Sequence, residues 1–127
     1  MPTAPETRSV GIPCGYFDAG TCRSCTWLPL DVPTQLERKQ SAVAAAVAAH
    51  VGPGAWELPH PSRPSGFRNK AKLVVGGSAK NPTLGIVDYR TGASTDLGEC
   101  PLYMEPIQAA IPVLRELIQR ADLTPYD

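Results

Sequence analysis

Neither sign of charge dominates this chain of 127 residues, in which 12 Lys and Arg face 12 Asp and Glu. A net charge of zero withholds any global sign of a nucleic-acid or membrane partner, so a basic surface has to be local. The polar, proline-bearing start from Met1 to Pro13 lacks an apolar run that could serve as a signal peptide. No later segment approaches the length that spans a bilayer, so the expected location is the cytoplasm, with no membrane partner. Internal repeats are missing. So is a Gly-rich strand-to-helix turn of the kind that cradles a nucleoside cofactor. Val51-Gly-Pro-Gly54 reads instead as a helix stop, and Val75-Gly-Gly-Ser78 as a hairpin connection. His50 and His60 have no Ser, Asp or Cys partner at a spacing that would activate a nucleophile. Asp88, Asp96 and Glu99 read as solvated carboxylates without a catalytic role.

The length suits one domain with one core. Fourteen prolines and eleven glycines mean many turns without the regularity of a low-complexity linker. A flexible leader is expected over 1–13 and a single folded unit over 14–127. The stretch from Pro33 to about Val51 predicts a helix: Thr34 and Glu37 offer a capping box, Leu36, Val43, Val47 and Val51 mark one side, and Gly52-Pro53 ends it. Ala44-Ala45-Ala46 would allow this helix to pack closely. From Phe67 to Val75 the side chains alternate, which predicts a strand with Arg68, Lys70 and Lys72 on one face. Leu84 to Tyr89 predicts a second strand, Arg90-Thr91-Gly92 a tight turn and Ala93 to Leu97 a third strand. Ile107, Ile111, Leu114, Leu117 and Ile118 trace a final helix, with Pro112 expected to kink it or mark its start. The fold class is therefore α+β: a small antiparallel sheet, a three-stranded meander or larger, with two helices and a cysteine-rich loop. The chain stops at Leu123-Thr-Pro-Tyr-Asp127 without a closing element, so it is expected to be part of a longer protein.

Four cysteines carry the chemistry. Cys14, Cys22 and Cys25 fall within one loop rich in small residues, and Cys100 follows seventy-four residues later, directly before a proline. Disulfides suit a reducing compartment poorly, and unrelated buried thiols seldom cluster in this way, so both stay open but are less favoured. Metal ligation is favoured over both. Two cysteines separated by two residues can serve one iron or zinc centre, with a third local sulfur and a remote fourth closing the set. A zinc ribbon usually brings two close ligand pairs, which this spacing lacks, so an iron–sulfur cluster and a zinc site both stay open on the residues alone.

Cys14-x7-Cys22-x2-Cys25, Gly66-Phe-Arg-Asn-Lys-Ala-Lys72, Asp96-Leu-Gly-Glu-Cys-Pro-Leu-Tyr103 and Leu123-Thr-Pro-Tyr126 together resemble the amino-terminal part of bacterial 23S rRNA uracil-5-methyltransferases of the RumB or RlmC type. The resemblance runs from Cys14 nearly to the end. It implies a 4Fe-4S cluster on Cys14, Cys22, Cys25 and Cys100, S-adenosylmethionine as the cofactor of the whole enzyme, and 23S rRNA as partner. It also turns Arg68, Lys70 and Lys72 into candidate RNA phosphate contacts, and the chain is expected to be a monomer. Tyr16, Phe17 and Trp27 would shield the cluster from water, and Phe67 could stack on a base. The leader is longer than the resemblance requires. An oligonucleotide-binding-like domain found ahead of this region in some relatives is missing, as is the methyltransferase domain that should follow Asp127. Methylating C5 of uracil needs a free thiolate to add at C6 and a base to remove the C5 proton. With all four thiols committed to the cluster, the chain alone is expected to be inert. Two other classes remain on the page, a small iron–sulfur electron carrier and a zinc-stabilised nucleic-acid-binding module.

Overall fold

Turn chemistry sets the sheet. Gly77 adopts φ 74°, a left-handed conformation open to glycine, and Ser78 and Asn81 exchange backbone hydrogen bonds across the loop at 3.2 and 3.1 Å. In the computed structural model, which describes residues 8–125, strand β1 (Val74–Gly77) is thereby folded back on β2 (Pro82–Val87), with Val74 opposite Gly85 and Gly77 opposite Pro82. Asp88 then accepts Arg90 N on its side chain and Gly92 N on its carbonyl, which tightens the second turn and delivers β3 (Ser94–Asp96) antiparallel to β2. The order β1-β2-β3 is the expected meander.

The first strand is shorter than its alternation predicts. Residues 67–73 lie outside the sheet, and Arg68 bonds elsewhere: Arg68 N donates to Leu102 O at 2.8 Å, and Met104 N donates to Arg68 O at 3.1 Å. A single parallel bridge, Arg68 to Tyr103, results. Arg68, Lys70 and Lys72 are exposed, but not as one face of a sheet strand.

Three helices accompany the sheet. Cys14 precedes a four-residue helix, α1 (Gly15–Asp18), inside the cysteine loop, which is too short to leave a periodic signal. Helix α2 (Val32–Val47) starts one residue before the expected Pro33, and its N-cap is Asp31 rather than the Thr34–Glu37 box: the Asp31 carboxylate accepts Thr34 N at 2.7 Å. It ends at Val47, followed by a turn through His50 and a 3-10 turn at Pro53–Ala55. None of its residues is buried, so the alanine run does not pack closely. From Glu57 to Pro64 every residue is exposed and outside helix and strand.

Helix α3 (Glu105–Arg120) begins ahead of Pro112, which sits in its interior, and not at it. Ile111 and Ile118 face the sheet while Leu114 and Leu117 stay exposed. With Leu84 and Tyr103 these two isoleucines form the core, flanked by Leu73, Val75, Cys100 and Ile107. Each fully buried aliphatic side chain of this kind contributes roughly 1.5–3 kcal/mol. Met1–Thr7 of the expected leader, and Tyr126 of the terminal motif, lie outside the described residues. No helix among those described is long and apolar enough to cross a membrane.

Candidate metal centre

The cysteine loop is held by its own small residues. Ser9 donates from its backbone N and from its hydroxyl to the Asp18 carboxylate, at 2.6 and 3.0 Å, and the same hydroxyl accepts Cys14 N at 3.1 Å. The backbone bond from Ser9 holds the Asp18 carboxyl below its usual range. Gly20, at φ 74°, then turns the chain so that Thr21 N and Cys22 N both reach Tyr16 O. Leu28 N donates to Cys25 O at 3.0 Å, which closes the turn after the third cysteine. On the other arm, Cys100 N donates to Leu97 O and Tyr103 N to Cys100 O, both at 3.2 Å, so the fourth cysteine sits on a turn just beyond β3.

These arms meet. Tyr16 Oη accepts Glu99 N at 3.1 Å, a contact between residues 83 apart in sequence. All four cysteines are free and half-buried, and they line one cavity whose other walls include Ile12, Phe17, Leu28, Leu97 and Leu102. Phe17, Leu28, Leu97 and Leu102 are buried, which makes this apolar cavity a second, smaller core shared by the loop and the sheet. Tyr16 and Phe17 line it, whereas Trp27 lines the neighbouring groove.

Burial pushes the Cys25 thiol above its ordinary value of 9.0, and its neighbours Cys100, Cys22 and Cys14 push it further. Burial likewise raises Cys100, while the Arg68 guanidinium opposes the shift at both sulfurs. Arg68 is thus within electrostatic reach of the cysteine cavity, which its strand alternation did not suggest.

Among the described residues no three His, Cys, Asp or Glu side chains form the ligand group of a single metal ion. A mononuclear zinc centre needs its sulfurs to converge about 2.3 Å from one point. A cluster takes each thiolate on a separate iron and needs the four only to surround a common volume. The four thiols line one apolar cavity, a set of soft donors whose chemistry suits either group.

Sequence reasoning missed the residue that fastens the sheet to α3. Asp96, read as solvated, accepts Leu84 N and Arg115 Nη2 on one oxygen, each at 2.8 Å, and Gly98 N on the other at 3.3 Å. Arg115 also donates to Pro82 O. An Asp at the end of a short strand, with an Arg on the facing side of a helix, is the only signal the sequence held. Burial raises the Asp96 carboxyl, but the hydrogen bonds from Leu84, Arg115 and Gly98 outweigh it and hold the group below 3.8. The stabilisation is therefore fully present above that value and is lost as pH falls through the lower folded value. Asp96→Asn should cost about 1–2 kcal/mol at neutral pH, reduced from a fully buried case because the carboxylate is partly exposed. In urea melts the gap to the unaltered chain should close as pH is taken below about 4.

Compared with known proteins, the chain is 44% identical over 115 residues to the 23S rRNA (uracil(747)-C(5))-methyltransferase RlmC of Enterobacter sp. (strain 638), a match over 90% of this chain and 30% of that protein. The enzyme of the same name from Pectobacterium carotovorum is 43% identical over 114 residues, and that from Yersinia pestis 44% over 114, with the same shares covered. The chain thus spans about three tenths of the length of the curated relatives it matches, as an amino-terminal portion would. No protein-family model matches it. No solved structure matches either.

Proposed function

We propose, with this likeness to 23S rRNA uracil-C5 methyltransferases as the premise, that the chain is the cluster-bearing, RNA-binding segment of such an enzyme. The observation that carries the reading is the single apolar cavity lined by Cys14, Cys22, Cys25 and Cys100. When bound there, a 4Fe-4S cluster would supply four iron sites that fix the thiolates and clamp the loop to the sheet. The chain's own residues do the rest. Phe17, Leu28, Leu97 and Leu102 exclude water from the cavity, Tyr16 ties the two arms together, and the Arg68 guanidinium offsets negative charge on the sulfurs. Lys70 and Lys72, exposed on the same segment as Arg68, are the candidate contacts to RNA phosphates. Methyl transfer from S-adenosylmethionine belongs to the rest of the longer enzyme, and this chain alone is inert. The expected setting is the cytoplasm, as a monomer on 23S rRNA.

The test is metal content. Protein purified without oxygen should be brown, with broad visible absorption and about four iron and four sulfide per chain. Colourless protein with stoichiometric zinc would sink the cluster reading.

A further inference from the structure

Beside the cysteine cavity, and sharing Ile12, Cys25, Leu28 and Leu102 with it, runs a second and larger groove of about 700 Å³. That volume lies within the roughly 300–1,000 Å³ of sites that hold small ligands. Its walls carry Trp27 and Phe67, 37% and 50% exposed, together with Lys39, Arg63 and His60. Among the described residues, no Asp or Glu lines it. In a chain whose charges cancel overall, a groove with two open aromatic rings, two fixed cations and no carboxylate is a local departure. We propose that this groove is a subsite for single-stranded RNA, which stacks an unpaired base on its aromatic walls and sets the flanking phosphates against Lys39 and Arg63.

Charge and aromatic surface decide the occupant. Stacking on Trp or Phe accepts any base, because every base has a π-face, and cations track the backbone. Lys39 Nζ lies over the Trp27 ring, 5.7 Å from its centroid, so one cation already sits at the aromatic wall. Both rings are also positioned by the cysteine arms. Trp27 follows Cys25 by two residues, and its carbonyl accepts Gln35 Nε2 at 3.1 Å, which anchors it to α2. Phe67 lies between Gly66 and Arg68, whose backbone N–H groups donate to Pro101 O and Leu102 O just beyond Cys100. Whatever joins the cysteines therefore also sets the width of the groove.

This inference rests on the RNA-binding reading above, and the experiment separates the two. The 127-residue chain with Trp56→Phe keeps Trp27 as its only tryptophan. The probe is a fluorescein-labelled oligouridine of about ten nucleotides, a length within the roughly 4–16 that such folds engage. Binding is read by anisotropy and, with unlabelled oligomer, by quenching of Trp27. Quenching should saturate together with the anisotropy. Trp27→Leu and Phe67→Leu, which keep apolar bulk but remove the flat ring, should each weaken binding about tenfold. Lys39→Gln with Arg63→Gln should lower the slope of log affinity against log salt by about 1.4, at roughly 0.7 per single-strand phosphate. Circular dichroism checks that each variant folds, and should Trp27→Leu fail, the quenching of Trp27 in the Trp56→Phe chain decides alone. If RNA binds with Trp27 unquenched and only Arg68→Gln, Lys70→Gln and Lys72→Gln weaken it, the groove proposal falls while the RNA reading stands. If the folded chain binds no RNA at low salt, both fall. Quenching that rises with protein concentration in the absence of RNA would mean that a second copy covers the groove, and would also overturn the proposal.

Discussion

On the proposed cluster assignment, Cys100→Ser should melt lower than Cys14→Ser by about 5 to 10 °C, with the cluster-loaded protein as the reference for both. Cys14 closes a spacer of seven residues to Cys22, whereas Cys100 closes one of seventy-four to Cys25. Loop closure costs about (3/2)RT times the logarithm of loop length, so the longer link constrains the unfolded chain by about 2 kcal/mol more. Metal binding free energy is folding free energy when no preformed site exists in the unfolded chain, so the lost ligand is felt in the melt and not only in iron content. Cys100 also packs against the core of Leu84, Tyr103, Ile111 and Ile118, so its replacement disturbs the sheet directly. Equal melting temperatures for the two variants would contradict the assignment of Cys100 as the link between loop and sheet.

Gly85→Ala should cost about 3 kcal/mol or more, and in a domain of this size that is enough to leave much of the chain unfolded. Gly85 is buried in β2, between Val74 of β1 and Asp96 of β3. A Cβ there would meet the Thr95 carbonyl oxygen at far below contact distance and stand 2.9 Å from Leu97 N. Those are backbone atoms on the neighbouring strand, so no rotamer change can relieve the clash. Gly92→Ala is the comparison. It lies in the exposed turn at φ 71° with open space around it, and its cost is conformational alone, about 1 kcal/mol. Urea denaturation of the two variants should give this order, and a Gly85→Ala chain as stable as Gly92→Ala would refute the tight β2–β3 approach.

The meander and the two long helices were legible because their signals are local. Gly76-Gly77, Asn81-Pro82 and Arg90-Thr91-Gly92 break the chain where it turns, and the apolar stripe through Ile107, Ile111 and Ile118 has helical spacing. The cysteines' convergence was legible in outline from three close sulfurs and a remote fourth. Arg68 was not. Alternation from Phe67 onward has the period of a strand, but the backbone groups of Arg68 find partners in the loop after Cys100, and sequence periodicity says nothing of which segment a strand-like stretch will meet. Asp31 was passed over although Asp followed by Val32-Pro33 announces an N-cap, because the Thr34–Glu37 pair offered a competing one. Asp96 eluded the reading for a different reason. Its three donors come from a strand neighbour, a turn and a helix, and only the folded chain assembles them.

The exposed run from Glu57 to Pro64 divides the cysteines three to one. Ahead of it, among the described residues, only Phe17 and Leu28 are buried, and both are walls of the cysteine cavity; behind it stands the whole core of sheet and α3. The peptide backbone through that run is therefore one link between the two halves, and the cysteine cavity is another. On the proposed cluster assignment, a protease cut there would leave two pieces held by the cluster, the shared apolar cavity and the Tyr16–Glu99 hydrogen bond, and oxidative loss of the cluster would weaken that hold.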